Sequence, residues 1–542
     1  MTFDYESLRA RFRLHVPQRA NLASQLLDRH ARRGAQPALI FADEQGTTSR
    51  WSYRQLSELS NRLGNVFRQL GINPGDPVAI LLSASVEIYL CYLAAFKLGA
   101  IAVPISTLFG VEGVEYRIRH SGARVVVTVP EARPTLAKLR DLLRVFVVGK
   151  PEGNELSFAQ QVERASPRLR KQLTAPEEPV LLIYSSGTTG PPKGVVHTRR
   201  SLTHTIATEK TWTGMQPTDC HWNVADPSWL GGVMTDLLCA WPVGATVFKY
   251  RRSGPFDPEE AFRLLQQHGV TNLFAPPTAF RMMAKLEQVR EKYPLRALRI
   301  CTSAGEPLNP EVVDWGQREL GLRILDGYGQ TEGIMMATNF PHLPAPPGSM
   351  GRPAPGVRLR IATPEGKASE PGQPGEIQIH KHTPLLFQQY WKNPAQTAQS
   401  YVGDWYRTGD SAWQDGEGYL HFVGRTDDVI ISAGYRIGPF EVESSILEHP
   451  AVAESAVVAK PDPERLRGHI VKAYVVLKEG STPTASLQRE IQELVRKRLS
   501  QSEYPREVEF VAELPKTRSG KIMRKQLRHR AQQEFARTQP PR

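Results

Sequence analysis

Val180-Leu181-Leu182-Ile183-Tyr184-Ser185-Ser186-Gly187-Thr188-Thr189-Gly190-Pro191-Pro192-Lys193-Gly194 carries the densest chemistry in the chain. An apolar strand-like run passes directly into hydroxyls, glycines and a lysine. Glycines let a backbone approach an anion, and successive N–H groups form an anion nest. Ser185, Thr188 and Thr189 add hydroxyl donors, and Lys193 adds positive charge. This chemistry suits a polyphosphate. The loop is not a Walker A motif, because no Gly-Lys-Ser/Thr follows at the required spacing.

Outward from this loop, strand-like runs alternate with helical patterns. The runs include Val78–Leu82, Val125–Val129, Val145–Val148, Ala245–Tyr250, Leu273–Ala275 and Leu298–Thr302. Pro258–His268 and Asn309–Leu320 read as helices between them. The alternation predicts an α/β fold with largely parallel sheets. Beyond the Pro/Gly-rich stretch Pro341–Pro355, short turn-punctuated runs predict a small β-rich subdomain over about 356–424. A compact α+β pattern follows, with a helix from Pro439, strands near Glu454–Ala459 and Val471–Leu477, and a helix over Ser486–Leu499. We expect a large N-terminal domain of layered α/β subdomains over 1–426 and a small α+β domain over 427–542.

The length of 542 residues, 40% hydrophobic, exceeds what one core organises. The formal charge of +13 favours anionic partners without choosing among nucleic acid, membranes and nucleotides. Cys91, Cys220, Cys239 and Cys301 form no CxxC pair and read as buried free thiols of a reducing compartment. The N-terminus has no apolar segment of a secretory signal, and Val78–Pro104 is broken by Glu87 and Lys97. The expectation is a cytoplasmic protein without a membrane span.

Further segments follow in order: Gly327-Tyr328-Gly329-Gln330-Thr331-Glu332, Tyr406-Arg407-Thr408-Gly409-Asp410, Gly424-Arg425-Thr426-Asp427-Asp428, Gly434-Tyr435-Arg436 and Pro515-Lys516-Thr517-Arg518-Ser519-Gly520-Lys521. With Tyr184–Gly194 they resemble the adenylate-forming superfamily of acyl-CoA synthetases, adenylation domains and luciferases. The resemblance spans nearly the whole chain and is greatest to the acetyl-CoA and medium-chain acyl-CoA synthetase branch. It implies an ATP-dependent carboxylic acid–CoA ligase working through an acyl-adenylate, with release of pyrophosphate and then AMP.

The resemblance also implies roles. Ser185, Ser186, Gly187, Thr188, Thr189, Gly190 and Lys193 would hold phosphates. Gly305, Glu306, Pro307, Asp326, Gly327 and Tyr328 would hold adenine, Tyr328 by its aromatic face. Gly329 and Gln330 belong to the same nucleotide segment. Thr331 would bind the α-phosphate, Glu332 Mg²⁺, Asp410 and Arg425 the ribose, and Arg436 phosphate in one state. Lys521 would stabilise the charge developing during adenylation. Asp427 would be the hinge, and Gly434 and Tyr435 would line the channel for coenzyme A.

Acetate-specific relatives close the acyl pocket with a tryptophan where this chain has Gly329. Trp229, Leu230, Gly231 and Ala304 match the other pocket positions. A missing indole predicts room for a medium-chain, branched or aromatic acid. Acetate or propionate, and loading of a carrier protein in trans, are the alternatives. The expected partners are a small carboxylic acid, ATP and coenzyme A, with no nucleic acid; an oligomer is compatible with the sequence. The basic run Pro515–Arg530, read alone, is a solvated tail or a nucleic-acid patch.

Overall fold

The computed structural model describes residues 4–32, 36–139, 141, 143–185, 191–432, 435–463, 468–499, 503–517 and 521–537, with the side chains of Tyr435 and Arg436 also outside the description. Two large sheets make the body of the N-terminal domain. One has nine strands, with Ile324–Gln330 lying between Ile300–Ala304 and Gly333–Thr338. The other has eight, with Pro179–Ser185 lying between Ile101–Pro104 and Lys193–Thr198. Their centres are parallel: Ile300–Ala304 pairs with Ile324–Gln330, and Pro77–Leu81 with Ile101–Pro104.

The stretch expected as strand, helix and strand is Pro77–Leu81, Val86–Leu98 and Ile101–Pro104. Ser85 caps the helix by accepting from the Ile88 N–H, and Gly99 ends it in the left-handed region at φ 70°. Both are ordinary stop signals. The helix is apolar on all sides because it lies inside the protein rather than on its surface. Its one buried cation, Lys97, pairs with Asp28 at 3.0 Å and donates to Ser60 and Asn61 at 2.8 Å.

The β-rich subdomain is an antiparallel sheet containing Leu359–Ala362, Gly375–His380, Trp405–Gln414 and Leu420–Arg425. The small C-terminal domain pairs Val452–Pro461 with His469–Leu477 antiparallel, and His469–Leu477 with Glu507–Phe510 parallel. Ile437, Val442, Val471 and Ile491 pack there in a core of their own. Its helix Pro439–Leu447 lies against Leu420–Arg425, with Phe422 and Phe440 ring centroids 6.2 Å apart.

The end of the chain departs from the bland reading of a solvated basic tail. Arg524–Arg537 is a helix. Arg524 pairs with Glu443, Arg528 with Asp428 and Arg530 with Glu509. These three cations of the run are paired within the fold. All four cysteines are free, and burial pushes the Cys301 thiol up to about 12. No helix among the described residues is long and apolar enough to cross a membrane.

Lys97→Ala is expected to destabilise the protein by about 3–5 kcal/mol, because it leaves the Asp28 carboxylate buried without its main partner. The check is the shift of the urea midpoint relative to wild type.

Candidate functional site

The site is built where the two large sheets meet. In the eight-stranded sheet, Pro179–Ser185 and Lys193–Thr198 are antiparallel, with Ser185 opposite Lys193. The polyphosphate loop residues Ser186, Gly187, Thr188, Thr189 and Gly190 lie outside the described residues. In the nine-stranded sheet, Ile300–Ala304 and Ile324–Gln330 end beside each other and deliver Gly305 and Thr331. Carboxyl ends of parallel strands are the usual place for a ligand in α/β sheets.

A buried histidine joins the two. His197 Nε2–H donates to the Thr331 carbonyl at 2.7 Å, and Nδ1 faces the Ser201 hydroxyl at 3.3 Å. The Glu332 carbonyl accepts from the Phe387 N–H at 2.8 Å, and its carboxylate accepts from the Tyr390 hydroxyl at 2.9 Å. Burial pushes the Glu332 carboxyl up, against the pull of Tyr390 and Lys193. The Lys193 ammonium sits over the Tyr390 ring, 5.1 Å from its centroid.

A second carboxylate stands near Gln330. Asp410 is 5% exposed. It accepts from Arg425 Nη1 at 3.0 Å, from the Tyr328 hydroxyl at 2.7 Å and from the Gln330 amide. Gln330 and Arg425 also donate to the Thr408 carbonyl, at 2.9 and 3.2 Å. Burial drives the Asp410 carboxyl upward while these donors hold it back. Arg425 further faces Asp427 at 3.6 Å.

The residues expected to hold adenine are more internally engaged than their motif suggests. The Tyr328 ring packs with Met336, Ile377 and Tyr406 in the core between Gly333–Thr338 and the β-rich sheet. Glu306 accepts from Arg281 at 2.8 Å and from Thr278 at 2.9 Å, tying the turn Gly305-Glu306-Pro307 to the helix Pro277–Met283. Gly305 has φ 97°, which favours glycine. Asp326 is buried, accepts from the Gly327 N–H at 2.9 Å, and has its carboxyl pushed well up by burial.

The expectation that Gly329 leaves room for an acyl chain is corrected. A Cβ placed there would stand 2.5 Å from the Met335 nitrogen and 3.0 Å from the Gly333 carbonyl oxygen. Backbone of the adjoining strand fills the volume. Gly231 is the open position, with no atom within 4 Å of a Cβ. It follows Trp229, whose ring meets Phe109 edge-on at 5.3 Å, and Leu230, which with Ala304 borders the same apolar core.

Lys521 is exposed and makes no ion pair among the described residues; its N–H donates to Thr517 Oγ1 at 3.1 Å. Asp427 and Asp428 follow Arg425, and Asp428 pairs with Arg528. Gly434 lies outside the described residues, as do the side chains of Tyr435 and Arg436. Sequence reasoning missed His197, Tyr390 and Tyr406, whose hydroxyl donates to Gln330 Oε1 at 3.2 Å. The position of His197, four residues beyond Lys193 on the same strand, was the available signal for it. Nothing local marked Tyr390.

The AMP-binding enzyme profile matches residues 27–391, and the AMP-binding enzyme C-terminal domain profile matches residues 441–521. The chain belongs to the AMP-binding enzyme family. It is 40% identical to an acetyl-coenzyme A synthetase of Bacillus subtilis (strain 168), covering 94% of this chain and 90% of that one. It is 35% identical to a mitochondrial acyl-coenzyme A synthetase of Mus musculus, covering 97% and 93%. An anthranilate CoA ligase structure, in complex with anthranoyl-AMP, superposes with a TM-score of 0.87 at 30% identity, covering 96% and 99%. The protein is thus an AMP-forming carboxylic acid–CoA ligase, and ATP, coenzyme A and a small acid are its substrates.

Two outcomes follow from this family member's geometry. Gly329→Ala should lower stability by about 1–3 kcal/mol through backbone overpacking, read as a drop in Tm. Burial also holds the His197 imidazole down to about 4, from an ordinary 6.5. Its contribution to stability is therefore complete above about pH 6.5 and is lost as pH falls toward 4. Urea midpoints of His197→Asn should decline less between those values than those of wild type.

Proposed function

We propose that the acid is a medium-chain, branched or aromatic carboxylate, seated with its side group beside Gly231. The open volume at Gly231 supports this reading. Trp229, Leu230 and Ala304 supply apolar surface nearby, and each buried methylene contributes roughly 0.8 kcal/mol. The similarity to an acetyl-coenzyme A synthetase favours a second reading, acetate or propionate.

In the first step a carboxylate oxygen attacks the α-phosphorus of ATP, and the bond to pyrophosphate breaks. Ser185, Lys193 and the loop between them receive the polyphosphate, Thr331 the α-phosphate, Asp410 and Arg425 the ribose. Among the described residues no group of three or more His, Cys, Asp or Glu is arranged to hold a metal. A single carboxylate, Glu332, suits an Mg²⁺ ion that arrives with the nucleotide and keeps phosphate and water ligands. Lys521 stabilises charge spreading over the phosphate. In the second step the coenzyme A thiol attacks the acyl carbon and AMP leaves.

One site serves both steps if 427–542 rotates about Asp427, withdrawing Lys521 and bringing the Gly434–Arg436 segment to the channel. Lys521, exposed and without an ion pair among the described residues, fits the withdrawn arrangement. A cytoplasmic enzyme, compatible with an oligomer, fits these soluble substrates.

Two measurements test this. Gly231→Trp should shift kcat/KM toward acids of two or three carbons and away from those of six to eight, with the KM for ATP nearly unchanged. An unaltered ranking of acids in a folded, active variant places the acid elsewhere. Lys521→Ala should abolish most adenylation and spare thioester formation from supplied acyl-adenylate. Equal losses in both half-reactions would sink the rotation.

A further inference from the structure

We propose that Tyr390 is a positioning residue for adenylation, holding the Glu332 carboxylate in register with the Lys193 ammonium around the incoming polyphosphate. The inference rests on the roles proposed above for Glu332 and Lys193.

Tyr390 is 4% exposed and lies on the edge strand Gln389–Tyr390. That strand pairs antiparallel with Lys193–Thr198, placing Tyr390 opposite Val195. Side chains two apart on a strand share a face, so Lys193 projects on the same side as Val195. The edge strand is fixed on both sides of the tyrosine. The Trp391 N–H donates to the Gly194 carbonyl at 2.7 Å, and the Tyr390 N–H to Thr397 Oγ1 at 2.9 Å. Its ring leans on Phe387, with centroids 4.8 Å apart.

From that fixed place the side chain makes two contacts with different chemistry. The hydroxyl donates to Glu332 Oε1 at 2.9 Å, and the ring face receives Lys193 at 5.1 Å. A cation within about 6 Å of a ring centroid is attracted by its negative face. The same short segment also binds the Glu332 backbone, through the Phe387 N–H at 2.8 Å. Glu332 is therefore gripped at both its carbonyl and its carboxylate by residues 387–390. Lys193 and Glu332 come from different sheets, and Tyr390 is the one side chain that touches both in these contacts. A hydrogen bond to one carboxylate oxygen also fixes the plane of the group and thus the direction of its other oxygen.

The test compares wild type with Tyr390→Phe, which removes only the hydroxyl, and Tyr390→Leu, which also removes the ring. Affinity for a non-hydrolysable ATP analogue is measured by calorimetry with and without Mg²⁺. ATP–pyrophosphate exchange and thioester formation from supplied acyl-adenylate are measured separately. Loss of a hydrogen bond to a charged group predicts roughly tenfold weaker Mg²⁺-dependent analogue binding for Tyr390→Phe, with a similar rise in the KM for ATP. Thioester formation should stay within about twofold by the same reasoning, since no polyphosphate is then bound. Tyr390→Leu should lose more, including Mg²⁺-independent affinity. A Tyr390→Phe and Glu332→Gln double variant should be no worse than Glu332→Gln alone. Additive losses, or equal losses in both half-reactions, would overturn the proposal and leave Tyr390 a packing residue. If Tyr390→Phe is silent while Glu332→Gln and Lys193→Ala are impaired, the proposal fails and the reading of the site stands. If those two variants are also silent, the reading of the site fails with it.

Discussion

A hydrogen bond from a neutral buried histidine to the Thr331 carbonyl, together with those that residues 387–390 give to Glu332, ties the two large sheets together at the site. His197 belongs to the strand that begins at Lys193, and Thr331 follows the strand that ends at Gln330. Lys193 and the Thr331–Glu332 pair are thus positioned by different sheets. Their relative placement depends on what crosses between them. A charged imidazolium in that buried place would be expensive, and burial keeps the ring neutral instead. The histidine bonds the backbone of Thr331 and not its hydroxyl, while the Glu332 carboxylate is held separately by Tyr390.

The same logic governs Asp410. A carboxylate that is 5% exposed is unfavourable unless charge and donors surround it. Arg425, Tyr328 and Gln330 supply them. These donors come from the β-rich sheet and from the strand of the nine-stranded sheet, so the carboxylate also fastens the subdomain to the body. Arg425 is the last residue of Leu420–Arg425 and stands directly before the segment connecting to the C-terminal domain. Whatever engages Asp410 is therefore mechanically close to Asp427, through the Arg425 contact at 3.6 Å.

Much of this was legible in the sequence, and the reasons differ by element. The runs Val78–Leu82 and Val180–Tyr184 announced themselves because both faces are buried in parallel sheets, giving continuous apolar residues. The helix Pro258–Gln267 had a capping Asp257 and proline at its first position. Asp410, Arg425, Thr331 and Glu332 were found by motif, not by any property of the isolated residue. The terminal helix Arg524–Arg537 was hidden because its basic residues look solvated until their partners are known. Glu443, Glu509 and Asp428 lie far away in sequence. Tyr390 was hidden for a similar reason. Its partners Glu332 and Lys193 are distant along the chain, and an aromatic after a loop is ordinary.

The two glycines near the acyl side carry a more general point. Both read alike in sequence, as small residues at pocket positions. Gly329 sits in a hairpin whose partner strand bends toward it, with Met335 at φ 53°. The absence of a side chain there admits a neighbouring backbone, not a ligand. Gly231 lies in the short helical turn Leu230–Val233, and its carbonyl accepts from Asn223 Nδ2 at 2.8 Å. That bond fixes the backbone while the position of the absent Cβ stays empty. A glycine therefore signals pocket volume only when nothing else in the fold uses its smallness. Inferring substrate size from an aligned glycine assumes that the direction of its absent Cβ is open, and at Gly329 the Gly333–Met335 backbone occupies it. Under the reading proposed above, Gly231 is the position that can be filled without displacing a strand, because a Cβ there meets no neighbouring atom.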